Sequence, residues 1–159
     1  MAKVSLKTNG LTTAQSFTNK PDAVVGQEIY DSKFDKGAGA PAVITVNADK
    51  VAEAIAVAEK VKGISQRPGA VCVQIDYAKL PAAAGNAAGP GSAGAGPGQA
   101  CPPAQLQVAP IDGRTVVNAD LADSYDSQAA YDTIKRLRAA VHAIPGANAR
   151  VGGNSAATL

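Results

Sequence analysis

The 159-residue sequence has no tryptophan, two phenylalanines and four tyrosines, so aromatics make up only 4% of it. A nucleic-acid surface would need aromatics interleaved with a basic stripe, and neither is present. Charge is also sparse and mixed: 15 basic against 13 acidic residues give a net +2, and no run of five like charges occurs. The tightest basic group, Lys135-Arg136 with Arg138, falls on an expected helix and reads as its solvated face. Nor is there an apolar run of the roughly 18 residues that a membrane-crossing helix requires. The opening Met1-Ala-Lys-Val-Ser-Leu-Lys lacks the apolar stretch of a secretory signal.

Histidine and cysteine are nearly as scarce. One histidine, two cysteines and no Cys-x-x-Cys cannot supply a four-ligand zinc site. His-Glu-x-x-His, Gly-x-Ser-x-Gly and His-x-His are all missing. A catalytic thiol would need a base, and the single histidine, His142, sits one residue off the apolar stripe of an expected helix. Near that helix's C-terminus it reads as a surface residue, where positive charge is favoured. Asp120, Asp123 and Asp126 precede the same helix and read as capping carboxylates, with no closing glutamate of a calcium loop. Tyr77, Tyr125 and Tyr131 read as core-edge residues. The expectation is no catalytic, cofactor or metal site, and no enzyme.

Glycine (16) and proline (10) are plentiful and cluster. Residues 81–103 are a low-complexity Ala/Gly/Pro/Ser tract that buries too little apolar surface to offset ordering it, so a disordered insert is expected. Its Gly94-Ala-Gly-Pro-Gly98 lacks the following Lys-Ser/Thr of a phosphate loop. Cys72 and Cys101 bracket the tract. They read either as a disulfide tying the ends of the insert, or as two unpaired buried thiols. The disulfide is preferred; in a chain-entropy account it contributes about 3–4 kcal/mol and implies an oxidising compartment. An oxidised pair without an export signal implies one extracytoplasmic part of a longer, membrane-targeted protein.

The remainder reads as one domain, 21–159, behind a flexible lead, 1–20. Pro21 suits a helix first turn, so 21–34 is expected to be helical, followed by a break at 37–41. Strand 41–47, helix 49–62 with Val51, Ile55, Ala58 and Val61 on one stripe, and strand 71–77 make a βαβ unit. After the insert, Asp112-Gly113 between 105–109 and 115–121 signals a hairpin. A helix capped by Ser127 or Asp126 carries Ala130, Ile134, Leu137, Val141 and Ile144, and 148–153 is a last strand. A doubled βαβ with amphipathic helices predicts an α+β fold, a ferredoxin-like sandwich: an antiparallel-containing sheet covered on one face by two helices.

Several stretches in this order resemble the MMPL family of actinobacterial exporters in the RND superfamily. They are Gln15-Ser-Phe-Thr-Asn-Lys-Pro-Asp-Ala-Val-Val-Gly-Gln27 with Phe34, Leu106-Gln-Val-Ala-Pro-Ile-Asp-Gly-Arg-Thr-Val-Val-Asn118, and Leu137-Arg138, Ile144-Pro-Gly146 and Ala149-Arg-Val-Gly-Gly153. The resemblance spans nearly the whole chain outside 81–103. It implies a porter domain, one of two extracytoplasmic loops of a proton-driven transporter that moves lipids or hydrophobic small molecules. Its implied partners are the transporter's own transmembrane helices and a sister porter domain. It also implies that residues 21–34 pack poorly on their own domain, in line with their limited apolar stripe and Gly26. The insert and its flanking cysteines depart from the simplest family pattern. A stand-alone extracellular binding or sensor module with the same fold is the competing expectation.

Overall fold

The computed structural model describes residues 19–33, 36–79 and 100–157. Most of the lead expected over 1–20, and the part of the expected insert from 81 to 99, lie outside the described residues. Two strand–helix–strand units make a mixed α+β fold with a single antiparallel sheet. The chain runs through α1 (Asp22–Lys33), β1 (Gly37–Asn47), α2 (Val51–Ala58), β2 (Val71–Val73), β3 (Arg114–Leu121), α3 (Gln128–His142), β4 (Arg150–Gly152) and a short α4 (Asn154–Ala157). The sheet order is β2-β3-β1-β4, with every neighbouring pair antiparallel.

Strand β1 follows the period-2 rule of a sheet with one buried face. Ala42, Ile44 and Val46 are buried, while Val43 and Thr45 between them are half-exposed. Register brings Val117 opposite Ile44 and Ala119 opposite Ala42 on β3, and Val151 opposite Ile44 on β4. The core closes against α3, whose Ala130, Ile134, Leu137 and Val141 are all fully buried. The amphipathic stripe read from the sequence is therefore the packed face. The Ser127 side chain caps α3 by accepting from the Ala130 N–H at 3.1 Å.

Elsewhere the structure corrects the expectations. Residues 37–41 are not a break but the bulged start of β1, whose register with β3 shifts between Gly37 and Ala42. Gly37 lies so close to the Leu121 carbonyl that a side chain there would collide with it, so its small size serves pairing. The helix expected over 49–62 is a 3-10 turn (Ala48–Lys50) followed by α2, which ends at Ala58. Of the expected stripe, Ala58 and Val61 are buried and Val51 and Ile55 are half-buried against the core, while Ala54, outside that stripe, is fully enclosed. Small side chains at 54 and 58 let α2 sit close, with Gly63 against Thr133 of α3.

The strand expected over 71–77 stops at Val73, and all three of its residues are buried. Residues 105–109 are not the hairpin partner of β3. Pro102 and Pro103 lead into a 3-10 turn (Ala104–Leu106), and Gln107 pairs with Ile75 instead. The Asp112-Gly113 turn itself forms, with φ of +50° and +72° at its central residues and reciprocal Ile111–Arg114 backbone hydrogen bonds of 2.9 Å. Positive φ at both positions is the twist a two-residue hairpin turn requires. The last strand shortens to Arg150–Gly152, and the tail turns into α4.

Helix α1 stands apart. It makes at most isolated contacts with the other named elements. Val24 is its one buried hydrophobic residue, whereas Val25, Ile29 and Tyr30 are exposed.

Candidate functional site

The two cysteines meet. Cys72 and Cys101 are joined by a disulfide with Cα atoms 5.5 Å apart. Register sets Cys72 opposite Asn118, whereas Val71 and Val73 face Ala119 and Val117 of the core. The bridge therefore lies on the sheet face opposite the α3-packed core. Cys72 and Asn118 are buried there, while Cys101 is exposed.

Beyond Cys101 the chain folds back along 74–76. The Val108 N–H donates to the Gln74 carbonyl at 2.9 Å and the Asp76 N–H to the Leu106 carbonyl at 2.8 Å. The Gln107 amide donates to the Pro102 carbonyl at 2.9 Å, and Lys79 Nζ to the Gln107 carbonyl at 3.2 Å. The segment 101–108 is thus held by a covalent bond and a few polar ones. None of its residues is fully buried.

The same face, opposite the core, carries a partly buried ion pair. Asp120 belongs to β3, not to a helix cap, and the expectation for it is corrected. Asn118 and Asp120 share one face of the strand by period 2, and Arg67 Nη2 lies 3.1 Å from the Asp120 carboxylate, whose side chain is 8% exposed. The Ser65 N–H donates to the Asp120 carbonyl at 2.9 Å and the Asp120 N–H to the Ala70 carbonyl at 2.8 Å, tying the 65–70 loop to β3. Sequence spacing gave no sign of this pair, because 53 residues separate its members.

Asp123 is half-exposed ahead of α3, and the Asp126 carboxylate accepts from Ser124 Oγ at 2.6 Å. His142 is exposed in the last turn of α3. Tyr77 and Tyr125 are exposed and Tyr131 is half-buried. No group of three or more His, Cys, Asp or Glu that could hold a metal occurs among the described residues. No helix among them is long and apolar enough to cross a membrane.

The antiparallel pairing of β1 and β4 puts the entry of the first strand and the end of the last at one end of the sheet. Val43 pairs with Gly152, and a side chain on Gly153 would reach within 2.8 Å of the Pro41 carbonyl. The start of β1 and the end of β4 are thus side by side. The Ile111–Arg114 turn, with Ile111 70% exposed, lies at the far end of β3.

No protein-family model matches the chain, and no solved structure matches it. Two curated proteins of Streptomyces coelicolor are similar along nearly its whole length, and both are named as membrane proteins. SCO0839 is 30% identical over 152 residues, covering 96% of this chain and 18% of that protein. ActII-3 is 29% identical over 153 residues, covering 96% of this chain and 16% of that protein. The chain therefore spans less than a fifth of the length of these membrane-protein relatives.

Proposed function

We propose that this chain is an extracytoplasmic porter domain of an MMPL-type exporter of the RND superfamily, lining or gating the path of lipids or hydrophobic small molecules. The observation that carries the reading is that the first strand of the core enters and the last one ends at the same end of the sheet, with Gly153 beside Pro41. A domain whose ends leave together can be inserted between two membrane spans without distorting its core.

Three further observations support it. The element order, with strands β2-β3-β1-β4 all antiparallel, supports a ferredoxin-like split βαβ reading. The relatives are named as membrane proteins and are several times longer than this chain. A disulfide fits an oxidising, extracytoplasmic side. In this reading the domain supplies shape rather than chemistry. Proton coupling belongs to the transporter's own transmembrane helices, and a sister porter domain completes the wall around the cargo.

The test uses the complete reading frame expressed in its host. A cysteine introduced as Ile111→Cys should be the one free thiol of this domain, since Cys72 and Cys101 are paired. A membrane-impermeant maleimide should label it in intact cells. Export of a hydrophobic dye should depend on the proton gradient and stop when residues 37–157 are deleted. A reading frame with no hydrophobic spans around this domain would refute the proposal and favour the stand-alone binding module. Labelling only after lysis would place the domain on the wrong side of the membrane.

A further inference from the structure

We propose that residues 101–108 are a redox-released strap on the sheet face opposite the α3-packed core, and that the Cys72–Cys101 bridge is its catch. The inference is independent of the exporter reading.

The two ends of the bridge differ. Cys72 sits in β2, inside the antiparallel ladder with β3, and is 1% exposed. Cys101 belongs to a segment with no fully buried residue and is exposed. Apart from the bridge and the half-buried side chains of Leu106 and Val108, that segment meets β2 and its extension through two backbone hydrogen bonds, Val108 to Gln74 and Asp76 to Leu106, with Lys79 Nζ reaching the Gln107 carbonyl. Exchanged against water, hydrogen bonds of this kind add little net stability. They cannot offset the entropy of ordering the backbone from 101 to 108. The covalent bond is what keeps the segment in place.

The chemistry is ordinary thiol–disulfide exchange with a dithiol reductant. Its thiolate attacks the sulfur of Cys101, the exposed residue of the pair, forming a mixed disulfide and expelling Cys72 as a thiolate that takes a proton from solvent. The reductant's second thiol then attacks the mixed disulfide and expels Cys101. The dithiol ends as a cyclic disulfide and the protein as two thiols, so two electrons and two protons have moved. With the catch open, the strap leaves and Cys72, with Asn118 opposite it in register, meets solvent.

The experiment uses the whole 159-residue chain, oxidised and after dithiothreitol, together with a Cys101→Ser variant that needs no reductant. Alkylation by iodoacetamide reads thiol exposure, and hydrogen exchange resolved by residue reads the backbone. Released strap predicts that Cys72 alkylates within about tenfold of Cys101 in the reduced protein, and that the Asp76 and Val108 amides lose about a hundredfold of protection. The Ile44 and Val117 amides in the β1–β3 ladder should keep theirs. Cys101→Ser should show the same pattern without reductant. If Cys72 stays unreactive and Asp76 and Val108 stay protected, the strap is docked without its catch and the proposal fails. It fails equally if Ile44 and Val117 lose protection too, because the bridge would then hold the whole fold.

Discussion

Replacing Gly63 with alanine should be among the most damaging single-methyl changes in this protein. Two separate physical costs meet at the position. Its φ is +101°, a conformation that costs a residue bearing a Cβ about 1–3 kcal/mol. A Cβ built there would also fall on Thr133 Oγ1 and lie 2.9 Å from Thr133 Cγ2 and 3.0 Å from its Cβ. Thr133 cannot step aside cheaply, because it is fully buried. Its hydroxyl donates to the Ala129 carbonyl at 2.8 Å and accepts from Arg136 Nη2 at 2.9 Å. Arg136 Nε in turn donates to the Lys62 carbonyl at 3.1 Å, clamping the turn onto α3. Overpacking such a site adds about 1–3 kcal/mol, so Gly63→Ala should cost about 2–6 kcal/mol in all. Urea unfolding of the single variants and of Gly63→Ala/Thr133→Ala separates the two costs. The double variant should be about 1–2 kcal/mol less destabilised than the sum of the singles, since Thr133→Ala removes the collisions with Oγ1 and Cγ2 but leaves the φ cost. A Gly63→Ala loss below about 1 kcal/mol, or strict additivity, would refute the packing account.

Other consequences can be read by the same denaturation assay. Thr115 Oγ1 is buried with no hydrogen-bond partner, so Thr115→Val should be stabilising by about 1 kcal/mol; a loss of that size would mean the hydroxyl is satisfied. Arg67→Ala should cost about 2–3 kcal/mol by leaving the Asp120 carboxylate, 8% exposed, without its guanidinium. Adding Asp120→Asn should recover part of that, and no recovery would show that the pair is not coupled. Ser127→Ala removes the α3 cap to the Ala130 N–H and should cost about 1 kcal/mol, with an unchanged midpoint counting against the cap.

The parts legible in the sequence are those where local pattern and tertiary demand coincide. The α3 stripe shows itself because long aliphatic side chains recur at helical spacing and all of them face the sheet. The Asp112-Gly113 turn shows itself because left-handed backbone is cheap for those residue types. Where close approach decides the packing, pattern misleads. Hydrophobicity ranks Val51 and Ile55 above Ala54, yet Ala54 is fully enclosed and the larger pair only half-buried, and just past α2 it is a glycine, Gly63, that comes against Thr133. Glycine at 37 reads as a breaker for the same reason, whereas its missing Cβ is what lets β1 start against Leu121.

Partner choice at long range is the second blind spot. The apolar alternation at 105–109 fits a hairpin arm, but β3 already has β1 and β2 on its two sides. The segment can only pair outward, with 74–76, and no local signal encodes that competition. The Arg67–Asp120 contact is hidden likewise, since a carboxylate in a row with Asp123 and Asp126 looks like helix capping until strand pairing turns it onto the opposite face. The cysteines were legible because covalent pairing across a low-complexity tract needs only their positions. What the bridge restrains was not, because that follows from the lack of buried residues between 101 and 108, a property of the fold and not of the spacing.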